Sequence, residues 1–391
     1  MKKIPGLIFV AIMLLLGCSK QADIARTEHL LEETRQQFCP DKRVCIWEIS
    51  FSPGKPIILK GSTNLPAAKT ALLEELNEAG IDFADSIRIL PSYLLEGRHF
   101  GLTSVSVSNI RSQAKHSAEL ATQAPMGTPL LVYEQQGEWF RVQTPDQYLG
   151  WLDEGAFVLL DSIAMARWRQ NRRLIIQPEL SVVWSQPDLQ SPSVSDLVSG
   201  CLLEQTGEKD GFFKVSLPDG RQGYVQKAHA QAFDGWKESL RPQPEGILGT
   251  AFSLMGRPYL WGGTSVKGMD CSGFTKTVFF QNGMLLPRDA SQQVQIGEKV
   301  ETDSTFSQLL PGDLLFFGRR STQDLPEKIT HVAIYVEEGK FIHASSQVKV
   351  ESLFQDDSLY SDYRRSTFVK AKRILSTEAV NEYSVDNHLL Y

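Results

Sequence analysis

The sequence predicts a chain of the α+β class, in which two small β-rich domains precede a mixed domain of helices and strands. Three observations support this prediction. The middle of the chain repeats itself at a shift of 73 residues. A segment rich in proline and glycine, 241–246, then marks a domain boundary. Beyond it, one helical motif is followed by several short apolar segments with strand character.

The repeat defines the two β-rich domains. Residues 139–142 (WFRV) align with 212–215 (FFKV), and 150–152 (GWL) align with 223–225 (GYV). Each copy has an aromatic strand, a Pro-Asp turn and a second strand that begins with glycine. Short strands punctuated by turns predict small β-barrels. We assign residues 41–160, with a helical insertion, to the first barrel and residues 161–240 to the second.

The N-terminus has the pattern of an export signal. Lys2 and Lys3 precede the ten-residue apolar run 7–16, which is too short to span a bilayer. The run ends in Leu-Leu-Gly-Cys, which resembles the bacterial lipobox and implies cleavage before a lipidated Cys18. An ordinary signal peptide with an incidental cysteine is the alternative. We expect a signal peptide (1–17), a lipidated tether (18–40) and an exported lipoprotein that is anchored to a membrane of the bacterial cell envelope.

Export places the remaining cysteines outside the reducing cytoplasm. Cys39 and Cys45 are six residues apart, a spacing that permits a disulfide but does not establish one. Cys201 lies among apolar residues and is expected to be a small buried side chain. The sequence contains no Cys-x-x-Cys pair, which argues against a structural zinc site.

The composition is that of a globular protein without a nucleic-acid partner. Hydrophobic residues make up 42% and charged residues 22% of the chain. The net charge of −6 and the lack of a basic stripe in the sequence argue against binding to nucleic acid. We expect a monomer.

The most informative stretch is Asp270–Phe274 (DCSGF), which follows a glycine-rich approach and opens a segment with helical character. Asp270 is a favourable N-cap residue. The sulfur of Cys271 is therefore expected in the first helical turn, where the partial positive charge favours a thiolate. His331 and His343 follow in predicted strands. A cysteine at a helix start with histidines on later strands is the arrangement of thiol hydrolases.

The length of the loop between the two histidine strands decides whether the histidines can meet. A two-residue turn would pair Val336 with Phe341 and place the histidines on opposite faces of the sheet. A three-residue loop, with its glycine in the left-handed conformation, pairs Val336 with Lys340. His331 and His343 then lie on one face as diagonal neighbours, about 7–8 Å apart. We predict the three-residue loop.

These residues suggest a mechanism. Cys271 would attack a carbonyl carbon, and its own backbone N–H would contribute to an oxyanion hole. His331 would keep the sulfur deprotonated and later protonate the leaving amine. His343 would orient His331. The alternative is a three-ligand zinc site made of the same side chains. We expect no metal and no cofactor.

Residues from about 246 to 374 resemble the NlpC/P60 family of cysteine peptidases. The resemblance implies a papain-like catalytic domain, which we place at 241–378, and activity toward peptidoglycan stem peptides. The repeated domains are similar to bacterial SH3 domains. The tail, 379–391, carries no functional pattern. The motifs that carry the family resemblance are Tyr259-x-Trp261-Gly262-Gly263, Asp270–Phe274, Pro287-Arg288-Asp289, Pro311-Gly312-Asp313-Leu314 and His331–Tyr335.

With two SH3-like domains in front, the chain resembles the γ-D-glutamyl-L-diamino-acid endopeptidases of this family. The resemblance implies hydrolysis of the bond between D-Glu and the diamino acid, in stem peptides whose L-Ala amine is free. It also implies that Glu119 and Tyr148, from the first SH3-like domain, bind that amine. The second copy has Arg221 in place of Tyr148, so the fold does not require tyrosine there. The alternative for Glu119 is a solvated surface charge.

The resemblance places four further residues at the substrate pocket. Tyr259 and Trp261 would line it, and Asp270 and Ser272 would hold the D-Glu end of the substrate. The alternative for Trp261 is packing in the core. Which residue after Arg288 meets the substrate stays open.

We therefore expect a cysteine endopeptidase that acts on released muropeptides, with either lysine or diaminopimelate as the diamino acid. A site closed at one end by an SH3-like domain suits the recycling of wall fragments. One alternative is an endopeptidase that acts on intact, crosslinked peptidoglycan. Another is a wall-binding lipoprotein without catalytic activity.

Overall fold

The computed structural model describes residues 6–391, with side chains from residue 21 onward except that of Thr377. The chain forms two compact units, of which the first ends at Glu96 and the second spans Gly97–Tyr391. The side chain of Cys18, the predicted lipidation site, lies outside the described part of the structure. The side chains of the predicted signal peptide, 1–17, lie outside it as well. Within residues 6–391, no helix is both long enough and apolar enough to cross a membrane.

The first unit is a three-stranded sheet that packs with two helices. Its elements are α1 (Gly6–Phe38), β1 (Trp47–Ser52), β2 (Ile57–Thr63), α2 (Pro66–Glu78) and β3 (Phe83–Ile89). β1 pairs antiparallel with β2, and β2 pairs in parallel with β3. Parallel strands need a crossover connection, and α2 supplies it. This helix begins with Pro66, whose missing N–H is not needed in a first turn, and it buries Leu72 and Leu76.

This unit corrects the predicted start of the first β-rich domain. The sequence predicts a helical insertion in a barrel that begins at residue 41, but residues 47–89 form a sheet of their own. Leu59, Leu72 and Ile87 lie in a separate core. The helical crossover between β2 and β3 makes its backbone hydrogen bonds internally, and it buries its apolar face in the core of this unit. The first β-rich domain therefore begins near residue 97.

The second half of the predicted tether is folded. α1 extends to Phe38, and Leu31 lies in the same core as Leu72. A disulfide then joins Cys39 to Cys45, with the two Cα atoms 5.8 Å apart. The tether prediction for residues 18–40 is therefore wrong for its folded part, because the helix carries apolar side chains that the core of the first unit buries.

The 73-residue repeat is present as two seven-stranded antiparallel sheets of the same topology. The strands of the first sheet are β4 (Phe100–Thr103), β5 (Val107–Arg111), β6 (Leu120–Pro125), β7 (Pro129–Gln136), β8 (Trp139–Gln143), β9 (Leu149–Asp153) and β10 (Phe157–Leu160). After α3 (Ser162–Gln170), the strands of the second sheet are β11 (Arg173–Ile176), β12 (Leu180–Trp184), β13 (Ser193–Val198), β14 (Leu202–Lys209), β15 (Phe212–Ser216), β16 (Gln222–Gln226) and β17 (Ala230–Ala232).

The two sheets agree strand for strand. The order is β10-β4-β7-β8-β9-β5-β6 in the first sheet and, in equivalent strands, β17-β11-β14-β15-β16-β12-β13 in the second. Phe140 pairs with Leu152 as Phe213 pairs with Val225. Equivalent bulges interrupt the pairing of β7 and β14 with the strands that follow them. The predicted repeat is confirmed, but neither sheet closes, because the two edge strands of each sheet do not pair with each other.

The C-terminal domain packs helices on a six-stranded sheet. Its elements are α4 (Phe233–Ser239), α5 (Pro244–Ser253), β18 (Thr264–Ser265), β19 (Gly268–Met269), α6 (Cys271–Gln281), α7 (Ala290–Gln293), β20 (Glu298–Val300), β21 (Leu314–Arg319), β22 (Lys328–Tyr335), β23 (Lys340–Ser345), β24 (Gln347–Ser352), α8 (Asp362–Thr367), β25 (Phe368–Arg373) and α9 (Thr377–Glu382). The sheet order is β20-β25-β21-β22-β23-β24. α6 contacts β22 and β23, the strands that carry His331 and His343. The predicted α+β class is confirmed.

The tail is docked. Arg173 donates to the backbone oxygen of Tyr391 at 3.1 Å. The Tyr391 ring lies 6.0 Å from the rings of both Phe233 and Phe280 and is buried. The last residues therefore connect the second sheet to the C-terminal domain.

Candidate active site

Cys271 occupies the first position of α6. Asp270 caps the helix, and its Oδ1 accepts from the Gly273 N–H at 2.7 Å. A Cβ on Gly273 would lie 2.0 Å from the backbone oxygen of Gly263, so the loop that ends at Gly263 and the start of α6 can approach this closely only with glycine at position 273. The cysteine side chain is 7% exposed. The local structure predicted from the DCSGF motif is confirmed.

The electrostatics of the thiol differ from the expectation. Burial raises the pKa of Cys271 to about 11, and the negative charge of Asp270 adds to the effect. The backbone N–H of Val332 and the guanidinium of Arg288 act in the opposite direction without offsetting burial. The helix start alone therefore does not produce a thiolate, and the resting sulfur at neutral pH is a thiol.

His331 and His343 lie on one face of the sheet, as the predicted loop requires. The Val336 N–H donates to the Lys340 oxygen at 2.9 Å, and Gly339 in the loop has a φ of 77°. Nε2 of His331 lies 2.7 Å from Nδ1 of His343. Burial is the main cause that lowers the pKa of both rings, and the Arg364 charge adds to it. Both imidazoles are neutral at neutral pH.

Glu351 continues this line of polar groups and was not found from the sequence. Its Oε2 lies 3.2 Å from Nε2 of His343, off the line of a straight hydrogen bond, and its Oε1 lies 2.6 Å from Lys349 Nζ. Burial raises the pKa of Glu351, but the contacts with His343 and Lys349 outweigh it and lower the pKa to about 2. The pairing of β23 with β24 places Lys349 opposite His343, so Glu351 is a diagonal neighbour of His343. The short turn after His343 is the sequence feature that could have revealed it.

The carboxylate determines the tautomers of both rings. An ionised carboxylate only accepts hydrogen bonds, so Nε2 of His343 carries the proton that faces Glu351. Nδ1 of His343 then accepts from the Nε2–H of His331. This leaves Nδ1 of His331 as the basic nitrogen of the pair.

Asp270 and Ser272 are brought together around a buried arginine. Arg288, which is 1% exposed, donates to both carboxylate oxygens of Asp270 at 3.1 and 2.6 Å and to Ser272 Oγ at 3.1 Å. The Gly262 N–H adds a hydrogen bond to Asp270 at 2.9 Å. Burial lowers the pKa of Arg288, but Asp270 outweighs it and raises the pKa above its usual value. The two predicted substrate-binding side chains thus hold Arg288, whose Nε is buried without a partner among the described residues.

The first seven-stranded sheet is joined to the catalytic domain by buried polar contacts. Gln123 accepts from the Thr264 N–H at 3.0 Å and from Ser265 Oγ at 3.1 Å, and its backbone oxygen accepts from Thr264 Oγ1 at 2.9 Å. Lys276 of α6 lies 2.8 Å from Asp146, whose side chain is fully buried. The sheet therefore forms a wall beside the helix that carries Cys271.

Both predicted residues of this wall contact the catalytic domain. Glu119 accepts from Trp261 Nε1 at 2.5 Å, and the hydroxyl of Tyr148 donates to Asp289 Oδ2 at 3.0 Å. Trp261 is 62% exposed, so its alternative as a core residue is wrong. At the position equivalent to Tyr148 in the second sheet, Arg221 contacts Asp219 and Ser104 instead.

Tyr259 lies near Cys271 and contacts the residue that follows β23. Its N–H donates to the Ser346 oxygen at 2.9 Å. Burial raises the pKa of its hydroxyl to about 12, with Cys271 and Asp270 as further causes, so the phenol is neutral and able to donate. No group of three or more His, Cys, Asp or Glu side chains in the described part of the chain is arranged to hold a metal ion.

Comparison with known proteins agrees with this geometry. The NlpC/P60 family model matches residues 256–373, and the model of the bacterial dipeptidyl-peptidase Sh3 domain matches residues 110–157, within the first sheet. The gamma-D-glutamyl-L-lysine dipeptidyl-peptidase of Bacillus subtilis is 30% identical over 255 residues, which are 62% of this chain and 78% of that protein. Dipeptidyl-peptidase 6 of Lysinibacillus sphaericus is 29% identical over 264 residues, covering 65% of this chain and 92% of that protein.

A crystal structure of an NlpC/P60 family protein from Bacillus cereus has the same fold. It superposes with a TM-score of 0.59 at 22% identity and covers 71% of this chain and all of that one. The family motifs, the capped helix start at Cys271, the paired histidines and the two relatives agree. The chain belongs to the NlpC/P60 family of cysteine peptidases.

Proposed function

We propose that this peptidase hydrolyses the γ-D-glutamyl–diamino acid bond in peptidoglycan stem peptides whose N-terminal L-Ala amine is free. The observation that carries the proposal is the wall contributed by the first sheet, where Glu119 and Tyr148 bind Trp261 and Asp289. The name of the relative from Bacillus subtilis, gamma-D-glutamyl-L-lysine dipeptidyl-peptidase, supports the choice of bond. A site walled at one end suits short, released peptides.

The wall supplies groups that fit an ammonium ion. Glu119 and Asp289 are carboxylates on opposite sides of the domain junction, and the hydroxyl of Tyr148 lies against Asp289. A charged amine that leaves water needs acceptors of this kind. The exposed indole of Trp261 adds an aromatic surface that attracts cations. An acetylated amine has neither the charge nor the donors to use these groups.

Catalysis starts from a neutral thiol and neutral imidazoles. Nδ1 of His331 takes the proton of Cys271 as the sulfur attacks the γ-carbonyl carbon of D-Glu. The electron pair of the C=O bond moves onto the oxygen, and the Cys271 N–H, which has no partner within the helix, donates to it. The new imidazolium is stabilised through His343 by the negative charge of Glu351.

Breakdown of this intermediate releases the diamino acid. The C–N bond breaks, and His331 gives its proton to the leaving amine, which leaves a thioester on Cys271. Water then loses a proton to His331 and attacks the thioester carbon. The C–S bond breaks, the sulfur recovers the proton, and L-Ala-γ-D-Glu departs. One water molecule is consumed for each bond that is broken.

Product analysis tests the proposed bond. L-Ala-γ-D-Glu-diaminopimelate, L-Ala-γ-D-Glu-lysine and intact sacculi are incubated with the enzyme and with Cys271→Ala, and the products are identified by mass spectrometry. We expect L-Ala-γ-D-Glu and the free diamino acid from at least one tripeptide, only with intact Cys271. Efficient solubilisation of sacculi would favour the alternative of an enzyme for the crosslinked wall. No cleavage of any substrate would favour the wall-binding alternative.

We further propose that the protein is an exported monomer, lipidated at Cys18 in the cell envelope. The lipobox-like sequence supports this proposal. Labelling with a radioactive fatty acid in a bacterial host should mark the wild type and not Cys18→Ser, and only the wild type should sediment with membranes. Analytical ultracentrifugation of the chain without residues 1–18 should give the mass of one copy.

A further inference from the structure

Arg364 places a guanidinium beside the catalytic groups, and the proposed mechanism does not use it. It lies in α8, and its side chain is 11% exposed. The guanidinium carbon lies 5.6 Å from the centre of the Phe317 ring, and that ring lies 5.8 Å from the ring of His331. The Phe317 ring therefore neighbours both the Arg364 guanidinium and His331, the proposed general base.

The charges around Arg364 are unbalanced. The carboxylate next to it is Glu351, at 3.9 Å from Arg364 Nε, but Glu351 makes its shorter ion pair with Lys349 at 2.6 Å. With both imidazoles neutral, this cluster of Lys349, Glu351 and Arg364 has a net charge of +1.

The guanidinium also has unused hydrogen-bonding capacity. It has five N–H donors, and its one hydrogen bond to a described residue goes to Ser345 Oγ at 3.3 Å. Burial lowers the pKa of Arg364 because the guanidinium loses water there. A bound partner would replace the hydrogen bonds of that water. A largely buried, positively charged fork of donors fits a carboxylate, which it can bind through two parallel hydrogen bonds.

We propose that Arg364 binds the carboxylate of the leaving diamino acid. This inference rests on the proposed function. His331 must protonate the leaving amine, so the diamino acid lies on the side of the site that carries His331, Phe317 and Arg364. The acidic groups Glu119 and Asp289 lie instead at the junction with the first sheet, and they suit the ammonium of L-Ala. The site thus has a negative end and a positive end, and a stem peptide with a free amine and a free carboxylate has the matching polarity.

Amidated substrates test the proposal. L-Ala-γ-D-Glu-lysine is prepared with free carboxylates, with a lysine carboxamide and with a D-Glu α-carboxamide. The wild type, Arg364→Gln, Arg364→Lys and Arg365→Gln are compared by kcat/KM. Arg365 is the matched control, because it lies in the same helix with its guanidinium 4.5 Å from the Phe306 ring. Circular dichroism and thermal unfolding confirm that each variant folds.

We expect the lysine carboxamide to lower kcat/KM of the wild type by about 10- to 100-fold, the range of a charge-assisted hydrogen bond. Arg364→Gln should show the same loss on the free substrate and no further loss on the lysine carboxamide. Arg364→Lys should recover part of the loss, and Arg365→Gln should behave as the wild type.

Three results would overturn the proposal. If Arg364→Gln lowered kcat/KM by the same factor on the free peptide and on the lysine carboxamide, Arg364 would have a structural role. Loss of sensitivity to the D-Glu carboxamide instead would assign Arg364 to the other carboxylate. A loss in Arg365→Gln equal to that in Arg364→Gln would implicate the helix as a whole.

Binding to Cys271→Ala, measured by calorimetry, separates this proposal from the proposed function. Binding that depends on the lysine carboxylate and on Arg364, without turnover by the wild type, would contradict the proposed function alone. Binding of the free peptide and the lysine carboxamide with equal affinity would contradict the role of Arg364.

Discussion

Nε2 of His331 lies 2.7 Å from Nδ1 of His343, and the two rings stand at 89° to each other. This contact depends on the three-residue loop that keeps both side chains on one face of the sheet. A one-residue change of register would move His343 to the other face. The loop between β22 and β23 therefore decides whether His343 can contact His331.

Glu351 and Lys349 should shift the pH profile in opposite directions. Glu351 raises the pKa of His343, whereas Lys349 lowers the pKa of both histidines. Activity requires a neutral base, so it is lost as the pH falls through the apparent pKa of the pair. Glu351→Gln should move this acid limb to lower pH and reduce kcat by about tenfold, the loss expected for one weak contact with a charged group, and Lys349→Gln should move it to higher pH. The measurement is kcat/KM against pH; shifts in the same direction would contradict the arrangement.

Cys271 should react as a buried thiol. Because burial raises its pKa to about 11, alkylation by iodoacetamide should accelerate with increasing pH up to that value. Mass spectrometry distinguishes Cys271 from Cys201, whose pKa burial raises to about 12. A rate that is already at its plateau near neutral pH would instead indicate a resting thiolate–imidazolium pair.

Loss of the polar groups of Glu119 and Tyr148 should weaken recognition of the substrate's free amine. Tyr148→Phe and Glu119→Gln should each lower kcat/KM for a tripeptide with a free amine by about 10- to 100-fold, since each removes a polar partner of a charged group. The same variants should leave the slow cleavage of the N-acetylated tripeptide unchanged. Arg221→Gln, at the equivalent position of the second sheet, is the control. If it weakens turnover as much as Tyr148→Phe does, the effect is not specific to the wall.

Arg288 should matter for stability. Removal of one partner from a buried ion pair leaves an unpaired charge, so Arg288→Met should lower the free energy of unfolding by about 3–5 kcal/mol. Arg257→Met is the matched control, because Arg257 pairs with Glu179 at a partly exposed site, where a pair contributes at most about 1 kcal/mol. Urea denaturation followed by tryptophan fluorescence measures both. Similar losses in the two variants would contradict the role of Arg288 as a buried anchor.

The local features of the site could be predicted from the sequence. Asp270 before Cys271 indicates a capped helix start, and the spacing of Val336 and Lys340 determines the face of His343. Both follow from rules that act over a few residues. The 73-residue repeat was recognisable for a similar reason, because aromatic and glycine positions recur in it without a gap.

The long-range features could not be predicted in this way. Arg288 reaches Asp270 across 18 residues and Gln123 reaches Thr264 across 141. The raised pKa of Cys271 depends on tertiary burial, which the helix start alone does not reveal. A strand–helix–strand segment before the first sheet is compatible with either an insertion or a separate unit, and the parallel pairing of β2 with β3 decides between them.

The central claim is that the first seven-stranded sheet selects substrates with a free amine for Cys271. The most direct test is the ratio of kcat/KM for L-Ala-γ-D-Glu-lysine to that for its N-acetylated form, measured with the wild type. We expect a preference for the free amine of about 100-fold or more, which two charge-assisted contacts can supply. Equal cleavage of the two peptides would contradict the claim.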